Sequence, residues 1–203
     1  MMATTHALAG LLLVIPLAVV APEFTVAAAV AAIAGGVFPD IDMPWAHRRT
    51  LHFPVYYSIA AAIGGGVALL APTSASVAAA LFLGSAALHS LSDAFGGGLE
   101  LRPWEGSSER GVYSHYHRRW WRPRRWVRYD GAPEDAALGI LLGVPPVLIF
   151  EGHVELFVIG AVALGLGYAA IRRPMVEWTQ RLVDSLPPEL LDRLPDRLVE
   201  DFR

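Results

Sequence analysis

Residues 35–52 read GGVFPDIDMPWAHRRTLH, and the interpretation of this stretch sets the interpretation of the rest. It joins two apolar runs and gathers Asp40, Asp42, His47 and His52 into one short connection. Neutral imidazoles and carboxylates at close spacing are the donors that hold a divalent cation. Gly35 and Gly36, just before it, are small enough to let two helices approach closely. Further out, His6 opens the first apolar run, and His89-Ser-Leu-Ser-Asp93 closes a later one.

Of the 203 residues, 54% are hydrophobic and only 17% charged, whereas a soluble domain carries about 25% charge. The apolar residues form long uncharged runs without a period of 2 or 3.6, the pattern of a chain whose solvent is a bilayer. Cysteine is absent, which excludes disulfides and thiolate metal sites. Any metal is therefore held by nitrogen and oxygen.

The runs cover about residues 5–20, 24–38, 54–70, 75–91, 136–150 and 154–171. The fold expected is an all-α polytopic membrane protein of about six transmembrane helices. Four is the fallback, because several runs fall short of the roughly 20 residues an upright span needs. Pro16 interrupts the first run, which a membrane helix tolerates. A cleaved signal peptide is the competing reading there, opposed by the lack of any basic residue before the run. Residues 1–135 are expected to form the metal-site unit, with a long Arg/Trp-rich loop over 92–135. Residues 136–171 are expected as a transmembrane hairpin and 172–203 as an amphipathic tail. In that tail Leu182, Leu186, Leu190, Leu194 and Leu198 are spaced along short helices broken by Pro187-Pro188 and Pro195.

All sixteen basic residues are arginine, and their distribution predicts the topology. Arg48 and Arg49 lie in the second connection, eight more lie between Arg102 and Arg128, and six lie in the tail. The other connections have none. The positive-inside rule then puts both termini and the even connections in the cytoplasm. His6, Asp40, Asp42, His47, His52, His89 and Asp93 all fall at that one face of the cell membrane.

Each motif also has a blander reading. His89 and Asp93, four apart, share a helix face, but a stray histidine and a helix-end aspartate would look the same. Asp40-Ile-Asp42 repels itself without a cation, yet a solvated acidic loop paired with Arg48 or Arg49 fits, as does the DxD of nucleotide-sugar glycosyltransferases. Pro54 disfavours helix at Phe53 and frees the backbone to turn His47 and His52 inward. RRWWRPRRWVRY interleaves cations and aromatics; beside membrane spans it fits the headgroup layer better than nucleic acid. It is the combination at one face that argues for a metal site.

The ordered set His6, Pro39-Asp40-Ile-Asp42, His47-Arg48-x-x-x-His52 and His89-x-x-x-Asp93 resembles the YdjM-type family of inner-membrane metal-dependent hydrolases. So do Gly96-Gly97-Gly98 and Leu101-Arg102-Pro103-Trp104 after it. That family is grouped with the zinc phospholipase C and P1 nuclease superfamily. The resemblance covers roughly residues 1–130. It implies His6, Asp42, His52, His89 and Asp93 as metal ligands, with Asp40 and His47 as ligands or their supports. Asp40, Asp42 and His47 are the catalytic candidates, and Arg48 and Arg49 the candidates for holding a phosphate. The HxxxE that completes a three-metal cluster has no clear equivalent. His115, His117 and Glu105 are only candidates for further donors, and two ions are expected, zinc first, with manganese or iron(II) also suited.

The expected activity is hydrolysis of a phosphoester, phospholipid-like substrates included, with membrane lipids as partners. The rival is a metal-ion transporter, whose ionisable groups belong at mid-span depth. A non-enzymatic membrane protein is the third reading.

Overall fold

The structure, a computed structural model, describes residues 1–187 and 190. It is built mainly from helices: α1 (Ala3–Leu12), α2 (Ile15–Val20), α3 (Thr25–Val37), α4 (Pro54–Leu70), α5 (Ser74–Ser92), α6 (Pro133–Ile149) and α7 (His153–Asp184). Among the described residues, four stretches are long and apolar enough to cross a membrane: Ala3–Val20, Pro22–Asp42, Ser74–Phe95 and His153–Asp184. These are the first, second, fourth and sixth of the expected spans, and the shorter helix α4 is apolar as well. The third and fifth expected spans, α4 and α6, are 17 residues each, and α6 carries Glu134 and Asp135 in its first turn.

Local chemistry explains the interruptions. Pro16 has no N–H to donate, so the ladder breaks before it. The last turn of α1 tightens instead, with Leu13 N and Val14 N bonding Gly10 O and Leu11 O at 3.1 and 3.0 Å. Helix α5 starts at a capping box, where Thr73 Oγ1 accepts from Ser76 N and Ser76 Oγ accepts from Thr73 N. Beyond residue 171, where the amphipathic tail was expected to begin, α7 continues without a break through Pro174 to Asp184. Leu194, Leu198 and Pro195 lie outside the described residues.

The core sits between α1, α3, α5 and α7, with Leu8, Leu11, Val14, Ala28, Ala29, Ala32, Val77, Val158 and Ala161 all buried. Alanine and glycine bring the backbones together. A Cβ added to Gly35 would lie 2.2 Å from Phe82 O, and one added to Gly36 would lie 2.9 Å from Ala7 Cα. That approach is what carries the end of α5 against the end of α3 and the start of α1.

The long loop is not purely irregular, as an all-α reading would have it. Two short antiparallel strands, β1 (Val112–Ser114) and β2 (Arg119–Trp121), form a hairpin. It docks on the 47–52 connection, where Tyr113 N donates to Arg48 O at 2.9 Å and His115 Nε2 meets Arg49 O at 2.6 Å. Residues 94–96 are bridged to 124–127 by Arg124 N to Ala94 O, Arg125 N to Gly96 O and Val127 N to Phe95 O. The loop thereby covers one end of the bundle.

Candidate metal centre

The residues at that end are delivered by helix termini. Asp40 and Asp42 lie in a 3₁₀ turn (Phe38–Asp42) that continues α3. His52 precedes α4 by two residues, and His89 is in the last turn of α5 with Asp93 as its C-cap. With three residues per turn, positions two apart in a 3₁₀ helix point about 240° apart, so Asp40 and Asp42 serve different neighbours.

Asp40 joins His52, His89 and Asp93. One donor atom from each of these four lies within 4.8 Å of all the others. His52 Nε2 is 3.1 Å from Asp93 Oδ2 and 3.8 Å from Asp40 Oδ1, while His89 Nε2 is 3.3 Å from Asp40 Oδ1 and 3.5 Å from Asp93 Oδ2. A tetrahedral ion with bonds of about 2.0–2.2 Å separates its donors by about 3.3–3.6 Å. The four separations straddle that range, close to what one such ion would need.

Hydrogen bonding behind the rings sets which nitrogen faces inward. His89 Nδ1 is 2.6 Å from Gly36 O, and a carbonyl can only accept, so that nitrogen carries the proton. His52 Nδ1 is 3.0 Å from Asp42 Oδ2. Each ring therefore spends Nδ1–H outward and turns the Nε2 lone pair toward the common point, as metal-binding histidines do. His52 Nε2, His89 Nε2 and Asp93 Oδ2 are buried without a hydrogen-bond partner. Unmet buried polar atoms cost about 1–3 kcal/mol each, and here three of them converge. Burial opposes a charge on His52, but its hydrogen bond to Asp42 and the Asp93 carboxylate beside it outweigh that and raise its pKa above the ordinary value. The pocket attracts positive charge.

No family model, no curated protein and no solved structure matches this chain.

Two residues expected as ligands stand one step back. Asp42 is completely buried, and both its oxygens are taken: Oδ1 by His47 Nδ1 at 2.9 Å, Oδ2 by His52 Nδ1 and by Leu51 N at 3.0 Å. His6 stacks on His89 with ring centroids 3.7 Å apart, its Nε2 3.2 Å from Asp93 Oδ1 and its Nδ1 3.1 Å from Ser92 Oγ. It braces two of the four donors. His47, half-buried, touches Asp42 and not the converging atoms.

Arg48 is not free to hold a phosphate. Its backbone is left-handed (φ 57°), which turns the side chain inward, where it is buried. Nη1 donates to Gly97 O at 2.7 Å and Nε lies 3.5 Å from Asp93 Oδ2. Nothing in the residue order signals that turn. Arg49 remains exposed, its guanidinium 4.6 Å above the Tyr113 ring. His117 bonds Ser114 Oγ at 2.8 Å, and Glu105 pairs with Arg102, so neither these nor His115 joins the cluster. Among the described residues, one group of this kind is present.

Asp135 was missed by sequence reasoning. It is fully buried at the same end, accepting from Met2 N at 2.8 Å, Thr5 Oγ1 at 2.8 Å and Gly131 N at 3.0 Å. The only available signal was an acid in the first turn of an apolar run, and exposed helix-start acids look the same.

Proposed function

We propose that this chain is a membrane-bound, divalent-metal-dependent hydrolase of phosphoesters, phospholipid-like ones included, working at the cytoplasmic membrane face. The observation that carries it is the convergence of two tautomer-fixed imidazoles and two carboxylates on one point in a largely buried cluster. The arginine distribution supports the cytoplasmic side, and the resemblance of the motif order supports the reaction class.

His52, His89, Asp93 and Asp40 would hold the ion, zinc being best suited and manganese or iron(II) acceptable. One ion is favoured over the two first expected. Asp93 faces the Arg48 guanidinium and the Met1 amino group, so the three aspartates exceed these two cations by one charge and a single divalent ion leaves the group only slightly positive. A second would leave it strongly positive, and Asp42 has no oxygen to spare for it. A divalent ion there supplies Lewis acidity, polarising a phosphoryl oxygen and making water nucleophilic near neutral pH.

The chain does the rest. Asp40 is the one member of the four with an accessible side chain, at 13%. It faces incoming water and substrate, and its second oxygen takes the proton from the attacking water. Arg49, on the exposed side of the same connection, is the cation available to a phosphate. Asp42 and His47 hold His52 in place. Ile41, Met43 and Trp45, all exposed, surround the Asp40 side with apolar surface suited to a bilayer-borne substrate.

The transporter reading is less well supported, because the donors come from helix ends and their connections, not from mid-span. The test is a hydrolysis screen of soluble phosphodiesters and phospholipids with purified protein loaded with zinc, manganese or iron(II), alongside His89→Ala. Turnover that depends on His89 is the expected result. Bound metal with no turnover on any phosphoester removes the hydrolase reading and leaves transport.

A further inference from the structure

The β1–β2 hairpin carries chemistry the metal centre does not use. Residues 112–128 contain six arginines and no acid. Arg122 and Arg125 pair with Glu109, and Arg128 pairs with Glu134. Arg118 and Arg119, at the hairpin tip and the start of β2, are exposed and have no acidic partner among the described residues. Their location is fixed by rings. Tyr116 lies 6.4 Å from Tyr56 and His115 lies 4.6 Å from Phe53, so the tip is seated on the first turn of α4.

Tyr56 also heads a stripe of exposed residues down α4, namely Ile59, Ile63, Val67 and Leu70. The 3, 4, 4, 3 spacing puts all five on one helix face. Helix α4 packs on α5, and its outer apolar face is turned away from the bundle, as a lipid-facing surface is. Seventeen residues span about 26 Å, close to the roughly 30 Å of hydrocarbon. Tyr56 therefore lies at the hydrocarbon boundary, the depth tyrosine favours, and Arg118 and Arg119 lie just beyond it, at the depth of lipid phosphates.

We propose that the hairpin tip is a binding site for anionic lipid headgroups, built from Arg118 and Arg119 above the Tyr56–Tyr116 pair and independent of the metal centre. The lipid-facing stripe continues directly into the tip, and the unpaired charge there is complementary to phosphate.

The test uses the full chain in detergent, titrated with short-chain phosphatidylglycerol or phosphatidylcholine and followed by tryptophan fluorescence. Trp120 and Trp121 adjoin the tip. Phosphatidylglycerol is expected to bind roughly tenfold or more tighter than phosphatidylcholine. Arg118→Gln/Arg119→Gln should bring the two within about twofold, the preference scaling with basic residues near the surface. Arg173→Gln/Arg181→Gln, the same loss of two charges at exposed positions of α7, should keep the preference, and unchanged helical circular dichroism shows that each variant folds. Equal binding of both lipids by the native chain overturns the proposal, as does a preference that survives the double variant. Inorganic phosphate displacing phosphatidylglycerol at equal concentration also overturns it, since the site would then be one for free phosphate.

Discussion

Asp93 and Asp135 are both sealed into the same end of the bundle, and their surroundings are complementary. Asp135 accepts from two backbone N–H groups and a threonine hydroxyl, all neutral and all between 2.8 and 3.0 Å. It sits at the start of α6 and against the start of α1, where both helix dipoles favour a negative charge. Asp93 has His6 and the Met1 amino group near Oδ1, while Oδ2 faces His52, His89 and Arg48 with no aligned donor. One carboxylate is complete within the fold; the other is left unfinished beside two imidazoles that are also unfinished. Burial alone therefore does not mark a ligand. Incomplete, converging hydrogen bonding does.

The largest expected effect tests the unfinished set. His89→Ala or Asp93→Ala removes one of four donors, and metal content of the purified protein, read by elemental analysis, should fall by more than tenfold. A chelator should lower the melting temperature of the native chain and leave that of His89→Ala unmoved. The stabilisation lost is that of the bound ion, about 4 kcal/mol at a thousandfold excess over its dissociation constant. Full metal content in both variants would show that the four atoms are not the ligands.

Next comes the finished set. Asp135→Ala strands Met2 N–H, Gly131 N–H and the Thr5 hydroxyl, at about 1–3 kcal/mol for each donor that stays buried. The expected result is a melting temperature several degrees lower with metal content per folded chain unchanged. Loss of metal at unchanged stability would reverse the distinction between the two aspartates.

Much of this was legible in the residue order. The apolar runs and the Gly35-Gly36 approach were legible, and the back-and-forth order of helices α3, α4 and α5 is enough to bring His52, His89 and Asp93 to one end with no side-chain detail. The division of labour between Asp40 and Asp42 was not legible, because both are aspartates between prolines. Only the 3₁₀ turn separates them, sending Asp40 to the cluster with His89 and Asp93 and Asp42 to His47 and the back of His52. Arg48 was opaque for a similar reason: a non-glycine residue with positive φ is uncommon, and the inward turn it makes depends on the carbonyls of Gly97 and Gly111 far along the chain. The hairpin hid inside a composition that reads as an interfacial loop. Helix α7 outran its apolar stretch because Arg172 is neutralised by Asp130 at 3.1 Å, with Tyr168 bonded to the same carboxylate. That partner is invisible when the run is read alone.

The support behind the donors gives the third effect. Asp42→Asn keeps the volume but weakens the hold on His52, and metal affinity should drop about 10–100-fold, the usual consequence of altering a residue that orients a ligand. Stability should change little, since the amide oxygen can still accept from Leu51 N. An affinity matching that of Asp93→Ala would make Asp42 a ligand after all.

The smallest expected effect is at His47, and it tests how far the ordering reaches. His47's hydrogen bond to the site is to Asp42 Oδ1, beside an edge-on contact with the His52 ring at 5.6 Å, and its side chain is 29% exposed, so water can replace that bond. A hydrogen bond of that kind contributes about 0.5–1.5 kcal/mol net. His47→Ala should therefore weaken metal binding by a few-fold, measured by competition with a fluorescent chelator. His6→Ala, which removes a buried brace stacked on His89 with no solvent path to replace it, should cost more. If His47→Ala costs more than Asp42→Asn, the chain of support runs the other way, and His47 itself enters the coordination sphere.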